Sequence, residues 1–379
     1  MKKRWEYKTL KEACIQLFAG GDVPTPYVSK IKTKEFSVPI YSNSVENEGL
    51  YGYTNSARVN EQAVTISARG TIGATFRRYE PFYPAIRLIT AVPNKEILSI
   101  DYLFYALKIL TIGNSGTSIP QLTIPNIKNI SIPLPPLSEQ KEIVEYLDSS
   151  FAKIDKLKEN VAKNLEEAKA LFQSALKDAL EPKEGWEEKT LEHIATDIYR
   201  GSGIKRDQVT EEGISCVRYG EIYTTYNYYF DICKSHTNER IITSKKYFEY
   251  GDILFAITGE SVEEIGKSIA YLGKEKCLAG GDIVVMKHNQ IPKYLSYALS
   301  TPNAIKQKGY GKTKLKVVHT NIPSLKTIKI PIPSIQEQIE IAEFLDSLNE
   351  KVNALQQNYS RICNECDALK QAILRQVFE

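Results

Sequence analysis

The sequence predicts an α/β (α+β) protein in two pseudo-symmetric copies, each a mixed domain followed by a long helix, with the two coiled-coil-like helices paired antiparallel. Three observations predict it: an internal repeat, proline-rich segments that each lead into more than 40 residues without Gly or Pro, and short β-rich runs broken by glycine turns.

The repeat comes first, because it divides the chain. "IPLPPLSEQKEIVEYLDSSFAKIDKL" from Ile132 matches "IPIPSIQEQIEIAEFLDSLNEKVNAL" from Ile330, and the match runs ungapped to Leu180 and Phe378 at an offset of 198. Upstream, "RWEYKTLKEA" from Arg4 matches "GWEEKTLEHI" from Gly185 at an offset of 181, so the second copy is longer by 17 residues, all in its variable part. The domains expected are 1–131 and 183–329, followed by long helices within 132–182 and 330–379.

Each proline of "IPLPP" and "IPIPS" lacks a donor and pushes its predecessor to extended geometry, so these segments end the domains. Ser334 with Glu337 predicts a capping box for the second helix, and Ser138 a cap for the first. A helix of about 43 residues is about 64 Å long, too long to be covered by its own domain. Apolar residues at 3–4 spacing predict a seam of Leu345, Leu348, Val352, Leu355, Ile362 and Leu369. The repeat carries that seam to Leu147, Ile154, Leu157, Val161 and Leu171 on the first helix. Pairing the helices buries both stripes, and the domain between them returns the chain, which favours antiparallel pairing; the plainer alternative is two amphipathic helices, each folded on its own core. Within the domains, "AVTISA" from Ala63, "RLITAV" from Arg87, "DILFAIT" from Asp252 and "GDIVVM" from Gly281 read as strands. "DYLFYALKIL" from Asp101 and "KYLSYALS" from Lys293 read as helices.

Charge follows the same partition. Lys plus Arg against Asp plus Glu is 16 to 10 in residues 1–131 and 22 to 18 in 183–329, but 7 to 10 and 4 to 8 in the helical segments. Basic domains on an acidic spine suit domains that meet phosphate and a spine that meets protein. The candidate DNA-binding residues are Arg58, Arg69, Arg77 and Arg78 in the first domain, and Arg200, Lys205, Arg206, Arg218, Lys308, Lys312 and Lys314 in the second. Arginine in a turn can reach guanine edges with two hydrogen bonds, whereas lysine more often supplies charge. For any one of them, a solvated surface charge is the competing reading.

Catalytic patterns fail. Gly259 stands two residues too far from Gly266-Lys267-Ser268 for a phosphate loop, and in "GYGKT" Lys306 occupies the place of the first glycine. Four histidines make no ligand cluster, no metal site is expected, and Cys363 and Cys366 fall in the helix as packing residues. A nuclease using Asp252, Glu263, Glu264 and Lys267, and a coiled-coil scaffold without a nucleic-acid role, are the alternatives. Six scattered cysteines argue for reduced thiols, and the absence of a long apolar run or signal core argues for the cytoplasm.

Two variable domains, each running through "IPLPPLSEQ" or "IPIPSIQEQ" into a long helix, together with "YSNSVENEGLYGYTN" from Tyr41 and "TISARGTIG" from Thr65, resemble the specificity subunit of type I restriction-modification systems over the whole chain. The resemblance implies a non-catalytic DNA-recognition subunit whose target-recognition domains each read half of a bipartite, asymmetric site. It implies helices that act as spacer and as docking surface for two modification (methyltransferase) subunits, with restriction subunits joining through them. No cofactor is expected in this chain; S-adenosylmethionine would belong to the modification subunits, ATP and Mg to the restriction subunits.

Overall fold

The computed structural model describes residues 5–112, 122–311 and 317–378. The chain divides into two compact units, residues 1–162 with 359–379, and residues 163–358. Each unit holds one domain and a segment of both long helices, Leu137–Ala179 and Ile335–Phe378.

Each domain is closed by its own ends. Strand Glu6–Thr9 pairs antiparallel with Ser131–Leu134, and Glu187–Thr190 with Lys329–Ile332. Pro133 and Pro331 are tolerated there because a two-stranded ribbon has an outer edge that needs no donor. The main sheet of the first unit runs Cys14–Ala19, Ile89–Pro93, Ala63–Ile66, Thr75–Arg78, all antiparallel. Ala195–Arg200, Ile283–His288, Ile253–Ala256 and Ser268–Tyr271 repeat that order in the second, with Tyr229–Phe230 added at the edge. A smaller sheet centres on Val38–Tyr41 in one unit and on Ile214–Val217 in the other. Even the bulge is duplicated, between Cys14 and Gln16 and between Ala195 and Asp197.

The junction of domain and long helix is built from repeat-equivalent side chains. Gln140 and Gln338 are fully buried. Gln140 Nε2 donates to Ile97 O and Pro135 O while Oε1 accepts from Ser99 N; Gln338 donates to Pro333 O and accepts from Ile291 N. A buried amide that satisfies donors and acceptors from two segments outside the helix holds the helix at a defined angle. Tyr102 and Tyr294 donate to Pro133 O and Pro331 O at 2.9 and 2.8 Å, and Tyr105 and Tyr297 donate to Asp148 and Asp346.

The long helices run antiparallel. In the first unit Lys158 pairs with Asp367 at 2.9 Å and Asp155 with Lys370, so advance along one helix is retreat along the other. Leu374 and Phe378 enter the core around Leu147 and Phe151; in the second unit Phe172, Leu176 and Leu180 share a core with Ala342 and Leu345.

The structure corrects the seam at alternate seats. Leu147, Ile154 and Leu345 are buried, and Val161, Leu348, Val352 and Ile362 are half-buried, but Leu157, Leu171, Leu355 and Leu369 are exposed. On the first helix the interior steps through 147, 151, 154, 158, 161, 165, 168 and 172, so Phe151, Leu165 and Phe172 hold places assigned to their neighbours. On the second, Cys366, Lys370 and Leu374 turn inward past Leu369. A heptad has two phases that share every a position and differ by one residue at d, and spacing alone does not separate them. The capping box of Ser334 and Glu337 forms. Ser138 is no cap, because the first helix starts at Leu137 and the place equivalent to Ser334 is Pro136.

Candidate nucleic-acid interface

In the first unit, strand Cys14–Ala19 ends at Gly20, where a Cβ would stand 2.4 Å from Pro84 O, so only glycine lets the two backbones meet. Gly20 O accepts from Arg87 N and Gly21 O from Ile86 N. Ile86 and Arg87 both adopt left-handed backbone, with φ of 55° and 60°. Asn43 ties this turn to a third segment: Nδ2 donates to Ile86 O at 2.5 Å, and Oδ1 accepts from Ala68 N at 2.7 Å, beside Arg69. Arg58 lies over the Phe18 ring at 5.0 Å, its Nη1 against Gly21. Arg58, Arg69 and Arg87 are all exposed and converge on one end of the unit.

The second unit repeats the strand ends of this backbone, without the left-handed pair, and with other side chains. Gly201 N donates to Ile283 O as Gly20 N does to Leu88 O, and Gly280 N donates to Val217 O as Ala85 N does to Tyr41 O. Ala19 thus corresponds to Arg200, Ser42 to Arg218 and Arg87 to Asp282. Here lies a cavity of about 920 Å³ that brings together Arg200, Lys205, Arg206 and Arg218, four of the expected residues. Arg200 is tied to Asp282 at 2.7 Å. Arg218 follows the strand Ile214–Val217, its backbone N–H held by Glu221 at 2.7 Å, while its Nε is buried without a partner. Lys205 and Arg206 are exposed on the rim. Gly220 and Gly280 bring no side chain to the lining.

Three expected residues are engaged within the protein, and the structure corrects their assignment. Arg77 bridges Asp101 at 2.9 Å and Asp148 at 3.3 Å over the Phe104 ring, fastening the sheet to the long helix. Arg78 is 3% exposed, its Nε donating to Thr65 and its guanidinium 3.5 Å from the Tyr41 ring. Lys308 is 4% exposed, donating to Ser268 Oγ and Leu299 O, and burial brings its ammonium down to about 7. Lys312 and Lys314 lie outside the described residues. Arg87 was missed because it opens "RLITAV" and reads as the first residue of a strand; the strand begins at Ile89.

The nuclease constellation is not assembled. Lys267, beside Glu263 and Glu264, donates to Tyr223 O and Tyr226 O, while Asp252 pairs with Lys287, and burial raises the Asp252 carboxyl. Among the described residues no three His, Cys, Asp or Glu side chains stand together as a metal site, and no helix is long and apolar enough to cross a membrane.

Fold and site define a class: a duplicated mixed domain on paired helices, with cations gathered where the strands of each unit end. Within that class, residues 2–167 and 183–362 match the type I restriction modification DNA specificity domain, and the chain belongs to that family. It is 27% identical over 292 residues to the MjaVIII specificity subunit of Methanocaldococcus jannaschii, covering 68% of this chain and 65% of the relative. To the EcoKI specificity subunit of Escherichia coli it is 23% identical, covering 83% and 73%. A Mycoplasma pneumoniae protein assigned to the type I specificity subunits is 36% identical, and the match spans 49% of its length. The fold is that of the HsdS subunit from Thermoanaerobacter tengcongensis, with TM-score 0.57, 17% identity and coverage of 100% and 97%. A chain from a structure of type I R-M complex assembly gives TM-score 0.74 at 18% identity, covering 98% and 97%.

Proposed function

We propose that this chain is the non-catalytic, sequence-specific DNA-recognition subunit of a type I restriction-modification complex, acting in the cytoplasm. Each domain reads one half of a bipartite, asymmetric site, and the paired helices act as spacer. The carrying observation is the pair of equivalent strand ends: one backbone framework, used twice, presents Arg58, Arg69 and Arg87 in one unit and Arg200, Lys205, Arg206 and Arg218 in the other. A shared scaffold with different side chains reads two different sequences, and tethering two readers raises the affinity of both.

The helices supply a second support. The large apolar side chains exposed on the first, Leu137, Tyr146, Leu157 and Leu171, are repeat-equivalent to those exposed on the second, Ile335, Phe344, Leu355 and Leu369; each is 41–70% exposed. Exposed apolar residues that recur at one offset suit two copies of one partner, here two modification subunits, with restriction subunits joining through them. S-adenosylmethionine is then bound by the modification subunits, and ATP with Mg by the restriction subunits.

Two measurements test this reading. Purified chain should bind duplex DNA with an affinity that falls as salt rises, by a log–log slope of about −0.9 per phosphate neutralised. Methylated-site mapping in cells that carry the chain with its modification subunits should return one split motif. Salt-independent or absent binding, or a single contiguous motif, would sink it.

A further inference from the structure

We propose that Arg87 is a specificity-determining residue of the first unit and reads a guanine in its half-site; this rests on the DNA-recognition reading above. The residue stands on a turn whose conformation is unfavourable for its own side chain. Ile86 and Arg87 are both left-handed, a backbone that branched and long side chains rarely adopt. The turn is held nonetheless by Ile86 N to Gly21 O at 2.7 Å, Arg87 N to Gly20 O at 3.1 Å, Leu88 N to Ala85 O at 3.0 Å and Asn43 Nδ2 to Ile86 O. Four bonds from three segments over-determine the turn, which is how a strained presentation persists at a working site. The side chain so presented is exposed and makes no hydrogen bond or ion pair with any described residue. Arg77 and Arg78, ten and nine positions earlier, are by contrast fully engaged inside the fold.

The two units differ at the Arg87 position, as a position that reads sequence would. The aligned positions of the second unit carry Gly281 and Asp282, neither of them left-handed, so both the backbone conformation and the charge at the Arg87 position differ between the units. A phosphate contact carries no sequence information and can be made by arginine, lysine, neutral polar side chains or backbone N–H groups. A position that reads base edges changes with the base, and arginine there matches the O6 and N7 acceptors of guanine with two parallel hydrogen bonds. In the second unit Asp282 is taken up by Arg200, and one strand away the Nε of Arg218 is buried without a partner.

The test is selection of bound sequences from a randomised duplex library with the full chain, wild type against Arg87→Ala, Arg87→Lys and Arg87→Gly. Wild type should select a split motif with a guanine in one half. All three variants should lose preference at that guanine by roughly 5- to 150-fold, the range of one bidentate contact, with the other half unchanged. Arg87→Lys should keep the wild-type salt slope, since the charge remains. Arg87→Gly suits the left-handed backbone, so a thermal midpoint at or above wild type would show that the lost preference is not unfolding. Uniform weakening across all sequences with a shallower salt slope in Arg87→Ala would make the contact a phosphate one and overturn the proposal; an unaltered motif would overturn it as well. If wild type itself selects no motif, the recognition reading fails and this inference falls with it.

Discussion

Ile86 shows what the recognition turn costs. A β-branched residue at φ 55° stores about 1–3 kcal/mol of backbone strain, and its side chain is 40% exposed, so little packing compensates. Ile86→Gly should therefore stabilise the protein by about 1 kcal/mol, read as a higher denaturant midpoint. Lys308 is a second costly residue. Its ammonium titrates near 7 in the folded chain against an ordinary 10.5, so between those values the unfolded chain holds a proton that the folded chain does not. Stability contributed by this site is highest above pH 10.5, falls as pH is lowered toward about 7, and levels off below. Lys308→Met should remove that component: the difference in unfolding free energy between variant and wild type should shrink or change sign as pH is raised from 7 to 10.5, and a difference flat in pH would contradict it.

Among the elements, the long helices are where the sequence pattern came closest and still slipped. Truncating an interior seat, Leu147→Ala or Leu345→Ala, should cost about 2–5 kcal/mol. Leu157→Glu and Leu355→Glu should change chain stability by no more than about 0.5 kcal/mol, since both side chains face solvent. If these outward leucines serve the modification subunits, the same two variants should weaken co-purification with them while leaving DNA binding by the chain intact. Gln140 and Gln338 are legible in the repeat only as matching letters. Their role follows from burial, and Gln140→Ala leaves Ser99 N, Ile97 O and Pro135 O without the amide, at about 1–3 kcal/mol for each buried group left unpaired. Loss of stability with both domains still folded would identify the amide as a clamp on the helix.

For the molecule as a whole, duplication is the governing fact. The units share sheet order, the bulge, the glycine approach at Gly20 and Gly201, and the glutamine clamp, yet differ in the side chains at equivalent strand ends. Replacing residues 183–329 with the variable part of another family member should change one half of the methylated motif and leave the other half as it was. A motif altered in both halves would mean that the units do not read independently.

The amino-acid sequence alone determined the duplication, the domain boundaries expected from it, the strand and helix segments around Ala63, Asp101, Ile283 and Lys293, and the family likeness. These are local or repeated signals: periodicity, proline and glycine chemistry, and identical spacing at one offset. It also named the four cations that line one cavity. Tertiary structure decided which phase of the heptad faces inward, which arginines are engaged within the fold and which reach solvent, and that Arg87 stands on a left-handed turn rather than in a strand. Those outcomes depend on contacts between residues far apart in the chain, such as Arg77 with Asp148 and Asn43 with Ile86. A side chain's charge is written in its own letter, but whether that charge is already balanced is settled by the neighbours that folding brings.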